Sequence, residues 1–211
     1  MPTGYKQARD NVNDTANIVN THNGHEFVDL GLPSGTLWAT CNVGATSPEQ
    51  TGLYFAFGET TGYSAEQVKK GERSFGELSY KARLTASIST DLELEEDAAH
   101  IHMGGKWRMP TKAECQELID NCNGVWTDDY NGTGVAGRIF TSRVNGNSVF
   151  FPAAGDCYYS SVRSVGSFGN FWSASWCSPS LAWYLCFGFG SQYLSGDSRY
   201  CGYSVRGVCK G

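Results

Sequence analysis

The sequence lacks most of the features that would assign it quickly to a class. It has no run of about 18 apolar residues, so no membrane-spanning helix is expected. It has no basic stripe. The 16 Lys and Arg are outnumbered by 21 Asp and Glu, for a net charge of −5, which removes the electrostatic footprint that nucleic-acid binding needs. No C-x-x-C pair is present, so a zinc knuckle is not expected, and the four histidines are too few for a His-rich metal tract. Residues Met1 to Asn20 are polar and lack an apolar core segment, so they do not read as a signal peptide. There is no internal repeat at a solenoid or propeller period. No Ser/His/Asp or Cys/His set suggests nucleophilic catalysis. Proline is scarce too, at 6 residues, against 26 glycines.

What is present points to turns and aromatic anchors. Aromatic residues make up 13% of the 211 residues, and with this much Gly they imply tight turns and close packing around large rings. Long helices are not expected. The length suits one domain with a short appendage. Eight cysteines invite a disulfide reading, but Cys115 and Cys122 lie too far apart on one expected helix for a bridge.

Residues 1–22 read as a polar leader or attachment segment, and residues 23–211 as a single domain. Leu32-Pro33-Ser34-Gly35 is a turn. Thr36 to Val43 reads as a strand with Leu37 and Trp38 in the core, and Leu53 to Phe57 as a short aromatic strand. Gly58 to Thr90 reads as an irregular surface excursion, and Asp91 to Met103 as a short helix with an acidic start. The clearest helix signal runs from Pro110 to Gly124. Thr111 and Glu114 have capping-box spacing, and Cys115, Leu118, Ile119 and Cys122 fall on one face. Asn123-Gly124 is its stop. Asn145-Gly146 joins two β-rich runs, Arg138 to Val144 and Asn147 to Phe151, as a hairpin. Beyond Pro152 the chain reads as short strands between Gly and Ser clusters.

In Ala182 to Phe187 the strand period places Trp183, Leu185 and Phe187 on one face, and Tyr184 and Cys186 on the other with Gly188. The first set is the expected core face and the second the expected outward face. The outward residues resemble antibody paratopes in composition, where Tyr buries area at little entropic cost and Ser and Gly adapt.

Two further motifs carry little weight. His100 and His102, near Glu95, Glu96 and Asp97, lack a third spaced metal ligand. The acidic turn of Asp128, Asp129, Asn131 and Gly132 lacks the spaced acids and closing Glu of a calcium loop. No metal and no cofactor is expected.

Four segments stand together: Val-Asp-Leu-Gly-Leu-Pro-Ser-Gly-Thr-Leu-Trp at 28–38, Gly-Gly-Lys-Trp-Arg-Met-Pro-Thr at 104–111, Phe-Pro-Ala-Ala-Gly at 151–155 and Gly-Tyr-Ser-Val-Arg at 202–206. In this order they resemble the Fibrobacter-type major paralogous domain of gut-bacterial and phage proteins, over roughly residues 24–209. The resemblance implies an α+β C-type lectin fold, with short mixed or antiparallel strands, one or two packed helices and much irregular loop. A more distant likeness to formylglycine-generating enzymes would offer Cys186 and Cys201, or Cys201 and Cys209, as a cysteine pair; neither fits a close motif, and fold sharing does not confer activity.

Residues 171–206 also resemble the variable region of diversity-generating retroelements. There a reverse transcriptase scrambles template adenines, and Asn codons yield a degenerate set without Trp, Gln, Met, Lys or Glu. The positions this resemblance marks as variable are Cys177, Ser178, Ser180, Leu181, Tyr184, Cys186, Gly188, Ser191, Tyr193, Ser195, Gly196, Asp197, Ser198, Tyr200 and Cys201, and all lie in the allowed set. Trp176 and Gln192 lie outside it and must be fixed. The expected scaffold is Trp172, Trp183, Leu185, Phe187 and Arg199, and three cysteines become exposed members of the variable set. Gly207 replaces the Pro that usually follows the final Val-Arg.

The resemblance implies a receptor-binding or adhesive protein, not an enzyme, carried on a phage tail or a bacterial cell surface. Its ligand would be a protein or a glycan on a cell. Residues 1–22 would serve attachment to a larger virion or envelope protein, or a homo-oligomer, without direct membrane insertion. The alternatives are a non-diversified carbohydrate-binding or adhesive module and, further off, a cysteine-oxidising enzyme.

Overall fold

The computed structural model describes residues 20–76 and 91–211. The α+β C-type lectin fold expected above is not what it shows. Among the described residues 43% are strand and 15% helix, so the chain is mostly β, built from several small sheets. The reason is local. Only one segment combines a cap with a sustained helical period, while frequent glycines break the remainder into strands of two to eight residues.

A four-stranded antiparallel sheet has the order β1 (Asn20–His22), β2 (His25–Asp29), β3 (Thr36–Asn42) and β14 (Arg206–Lys210). It pairs the two ends of the described chain. A five-stranded sheet runs β12 (Gln192–Ser198), β11 (Leu181–Phe187), β10 (Gly169–Trp176), β13 (Tyr203–Ser204) and β4 (Tyr54–Phe55). Its β10–β13 pair is parallel. A third sheet joins β5 (Cys122–Thr127), β6 (Gly137–Ser142) and β7 (Ser148–Pro152), and β8 (Asp156–Tyr158) with β9 (Ser161–Arg163) forms a separate hairpin.

Three short helices complete the fold. They are α1 (Ala65–Lys69), α2 (Ala98–Met103) and α3 (Lys112–Asn121), with 3-10 turns at Leu94–Glu96 and Tyr130–Gly132. The capping box of α3 forms as expected, Thr111 accepting from the Glu114 backbone and Glu114 accepting from that of Thr111. Cys115 and Leu118 are buried and Ile119 is half-buried.

Asn123-Gly124 does not stop the chain in a loop. The helix passes directly into β5, because Cys122 to Thr127 pair with β6 from Ser142 to Gly137. The domain does not begin at 23 either, since Asn20 to His22 pair with β2. The leader expected over 1–22 otherwise lies outside the described residues. The irregular excursion expected over 58–90 contains α1, capped by Ser64 and Gln67, and the fully buried Phe75; residues 77–90 lie outside the described residues.

Two large cores share the central strands. One gathers Leu37, Phe57, Met103, Trp107, Trp172, Trp176, Ala182 and Tyr203. The other gathers Trp38, Leu118, Phe140, Phe151, Phe171, Leu185, Phe187 and Val208. Neighbouring residues such as Leu37 and Trp38, or Phe171 and Trp172, enter opposite cores because strand side chains alternate. β3, β10 and much of β11 are therefore covered on both faces.

Candidate functional site

The residues marked as variable are carried by β11, β12 and the turns around them. The registry of β11 on β12 pairs Cys186 with Tyr193, Tyr184 with Ser195 and Ala182 with Asp197. Directly opposed residues share a face, so Tyr184, Cys186, Tyr193, Ser195 and Asp197 form one patch. Leu181 and Ser198, Trp183 and Gly196, and Leu185 and Leu194 pair on the other face. Of the fifteen positions, Ser180, Ser191 and Tyr193 are exposed and nine more are half-buried: Cys177, Ser178, Leu181, Tyr184, Ser195, Gly196, Asp197, Ser198 and Tyr200.

Cys186, Gly188 and Cys201 are buried, which corrects the expectation that the cysteines of this set are exposed. Cys186 is covered by Tyr193 across the strand pair. Cys201 packs in the first core beside Tyr200 and Tyr203. Burial pushes the Cys201 thiol up to about 12, helped by the nearby carboxylates of Asp197 and Asp156. Burial raises the Cys186 and Cys209 thiols as well. These are protonated, enclosed groups at neutral pH, the opposite of an activated cysteine. All eight cysteines are free thiols.

The scaffold expected beneath the patch is largely buried. Trp172 is fully enclosed and donates from Nε1 to the Phe55 carbonyl at 2.9 Å. Leu185 and Phe187 lie in the second core. Arg199 is buried, its guanidinium 4.2 Å over the Trp176 ring and its Nη1 donating to the Pro179 carbonyl at 3.3 Å. It ties the 177–180 turn to the core. Trp183 is only half-buried, and the Lys112 ammonium lies 3.5 Å over its ring. A sugar cannot stack on Trp172, and on Trp183 it would compete with that cation.

The patch is held by polar contacts. The Tyr203 hydroxyl donates to Asp197 Oδ2, and Asp197 Oδ1 accepts from the Ser198 backbone at 2.6 Å. Burial pushes the Tyr184 hydroxyl up to about 12, with Cys186 and Asp197 adding to it. Burial and the bond to Asp197 raise Tyr203 further. The tyrosines are therefore neutral hydrogen-bonding groups. The Tyr184 and Tyr203 rings lie 4.9 Å apart.

Several residues of the site escaped the sequence reading. Arg138, on β6, donates to the carbonyls of Gly188 at 2.6 Å, Ser191 at 2.9 Å and Gly124 at 3.0 Å, and so fixes the loop between β11 and β12. The β8–β9 hairpin brings Tyr158 beside Tyr200, ring centroids 6.2 Å apart. Asp156 and Arg163 are cross-strand partners in it and form an ion pair. The two adjacent tyrosines between an acid and a base were the available signal. Their turn, Tyr159-Ser160, lacks the Asn-Gly chemistry that marks a hairpin.

Elsewhere, a cleft of about 550 Å³ is lined in part by His25, Glu26, Cys41, Ser47 and His102. His100 Nδ1 meets the Trp107 carbonyl at 3.1 Å and His102 Nε2 the Thr60 carbonyl at 2.8 Å. No group of three metal-ligating side chains occurs among the described residues, and none of their helices is long and apolar enough to cross a membrane. Compared with protein-family models, characterised proteins and solved structures, the chain matches none.

Proposed function

We propose that this protein is a ligand-binding protein, of the receptor-binding or adhesive kind, whose surface around β11 and β12 is diversified by a retroelement. The supporting observation is the separation of roles at this surface. Twelve of the fifteen marked positions reach solvent, while Trp172, Leu185, Phe187 and Arg199 beside them are enclosed. Replacements at exposed positions usually change stability by less than about 0.5 kcal/mol, whereas truncations in a core cost about 2–5 kcal/mol. Such a surface can vary while the fold persists. Its ligand is a molecule on a cell surface, and its carrier a phage tail or a bacterial envelope. No catalytic step is proposed, because the cysteines an oxidase would need are buried and protonated.

The genome carrying this gene provides the test. A diversified protein requires a nearby reverse transcriptase and a near-copy of the 3′ coding sequence that differs from it at adenines. Finding both is the expected result. A complete genome with neither would sink the proposal.

A further inference from the structure

We propose that the β8–β9 hairpin is a constant wall of this binding face, with Tyr158 and Tyr159 contacting a protein ligand whichever residues the diversified positions carry. This rests on the reading of residues 171–206 as diversified, since the hairpin lies outside that range.

The hairpin is locked against the patch. Cys157 and Gly202 exchange two backbone hydrogen bonds, at 2.7 and 2.8 Å. The approach needs glycine, because a Cβ at Gly202 would lie 2.8 Å from Cys157 Cβ and 2.9 Å from the Phe75 ring. The hairpin therefore joins the chain directly beside Tyr200 and Cys201. Arg163 pairs with Asp156 and lies 4.8 Å over the Tyr158 ring, which holds that ring in place.

Tyr159 supplies an independent observation. Its φ is +49°, the left-handed region that side chains other than Asn and Asp seldom adopt. It is nevertheless 50% exposed. Strain kept at an exposed aromatic tip is a sign of a binding role. The Tyr159 backbone pairs with Phe75 and one side of its ring covers Gly76, while the remainder of the ring stays open to solvent.

The chemistry of the face favours a protein. Tyr193, Tyr184, Tyr200 and the hairpin tyrosines spread across about four strand spacings, ~19 Å, and β12 is ~20 Å long. That outline is roughly half of the ~800 Å² that one partner contributes to a standard interface, so it would form the centre of such an interface and not the whole of it. Tyr with Ser is also the contact chemistry of paratopes.

The test is a display library with the twelve solvent-reaching positions scrambled, selected against purified lysozyme and against a serum glycoprotein. Tyr158→Ser and Tyr159→Asn are then placed in the selected clones. Binders should emerge, and each substitution should weaken them tenfold or more. Tyr159→Asn keeps this φ but gives up the ring contact with Gly76, so Tm is measured beside Kd; the loss of affinity should persist at temperatures well below the Tm of the variant, which a merely structural tyrosine would not give. If binders emerge and both substitutions leave Kd within twofold, the inference is overturned and the diversified surface stands. Binders confined to the glycoprotein and lost on deglycosylation would assign the face to glycans and overturn it too. A well-folded library with no binders would overturn the diversified surface itself, and the inference with it.

Discussion

Replacing Glu114 by Gln is expected to cost about 2 kcal/mol at pH 7, and less than half of that at pH 3. Glu114 stands in the first turn of α3, against the paired ends of β3 and β14. Its carboxylate receives Arg108 Nη1 at 2.7 Å and Nη2 at 2.6 Å, the Thr36 hydroxyl at 2.8 Å and the Thr111 backbone at 2.9 Å. Burial disfavours the charged form, yet the bonds from Arg108, Thr111 and Thr36 outweigh it and hold the carboxyl at about 2, against an ordinary 4.5. At 1.36 kcal/mol per pH unit this sets a ceiling of about 3 kcal/mol. Arg108 remains 26% exposed, and solvent screening brings the figure to about 2 kcal/mol. Because the folded value is depressed, the stabilisation is complete above the unfolded value and disappears as pH falls through the folded one. Urea melts of both proteins at pH 7 and pH 3 would measure the difference. A deficit of the same size at both pH values would refute the electrostatic reasoning and leave only a packing effect. A deficit below about 0.5 kcal/mol at pH 7 would place the pair among those of negligible worth.

The division between face and scaffold predicts a graded response to substitution. Ser180→Ala should alter stability by less than about 0.5 kcal/mol, while Leu185→Ala should cost about 2–5 kcal/mol in chemical melts. Cys201→Asp should fall on the scaffold side of that division, because an isolated charge there would be buried. In native protein, a thiol reagent should label the half-buried Cys41 and Cys177 readily, and reach the six buried cysteines only in denaturant; labelling of Cys186 without denaturant would contradict the packing. Arg199→Lys should lose the stack over Trp176 and the bond to Pro179, loosening the 177–180 turn, which hydrogen exchange at Cys177 to Leu181 would report.

The sequence made some elements readable and hid others for physical reasons. α3 was legible because a capping box and an apolar face coincide within ten residues. The β6–β7 hairpin was legible from Asn145-Gly146, though Val144 belongs to the turn and not to the strand. Elements shorter than one period carry no pattern. β4 has two residues, β13 two and β8 three, and long-range pairing alone defines them. The strand content was understated for a related reason. A fold inferred from motifs at turns and strand ends says little about how much of the chain between them is strand.

The patch shows the same limit more sharply. Alternation placed Tyr184 and Cys186 on one face of β11, and the registry agrees. Alternation cannot say what covers that face. Tyr184 is half open, whereas Cys186, two residues along, is enclosed. Under the proposed diversification, a scrambled codon would therefore meet different constraints within one face. At Ser180 or Ser191, both exposed, almost any member of the degenerate set would be accommodated. At Cys186 and Cys201 only small, weakly polar residues fit without leaving an unpaired group in the core. Cysteine satisfies that condition as a small hydrophobe with a weak donor. Under the proposed diversification, its presence at these two positions would follow from selection for folding, and the working diversity of the face would be smaller than the count of scrambled codons implies.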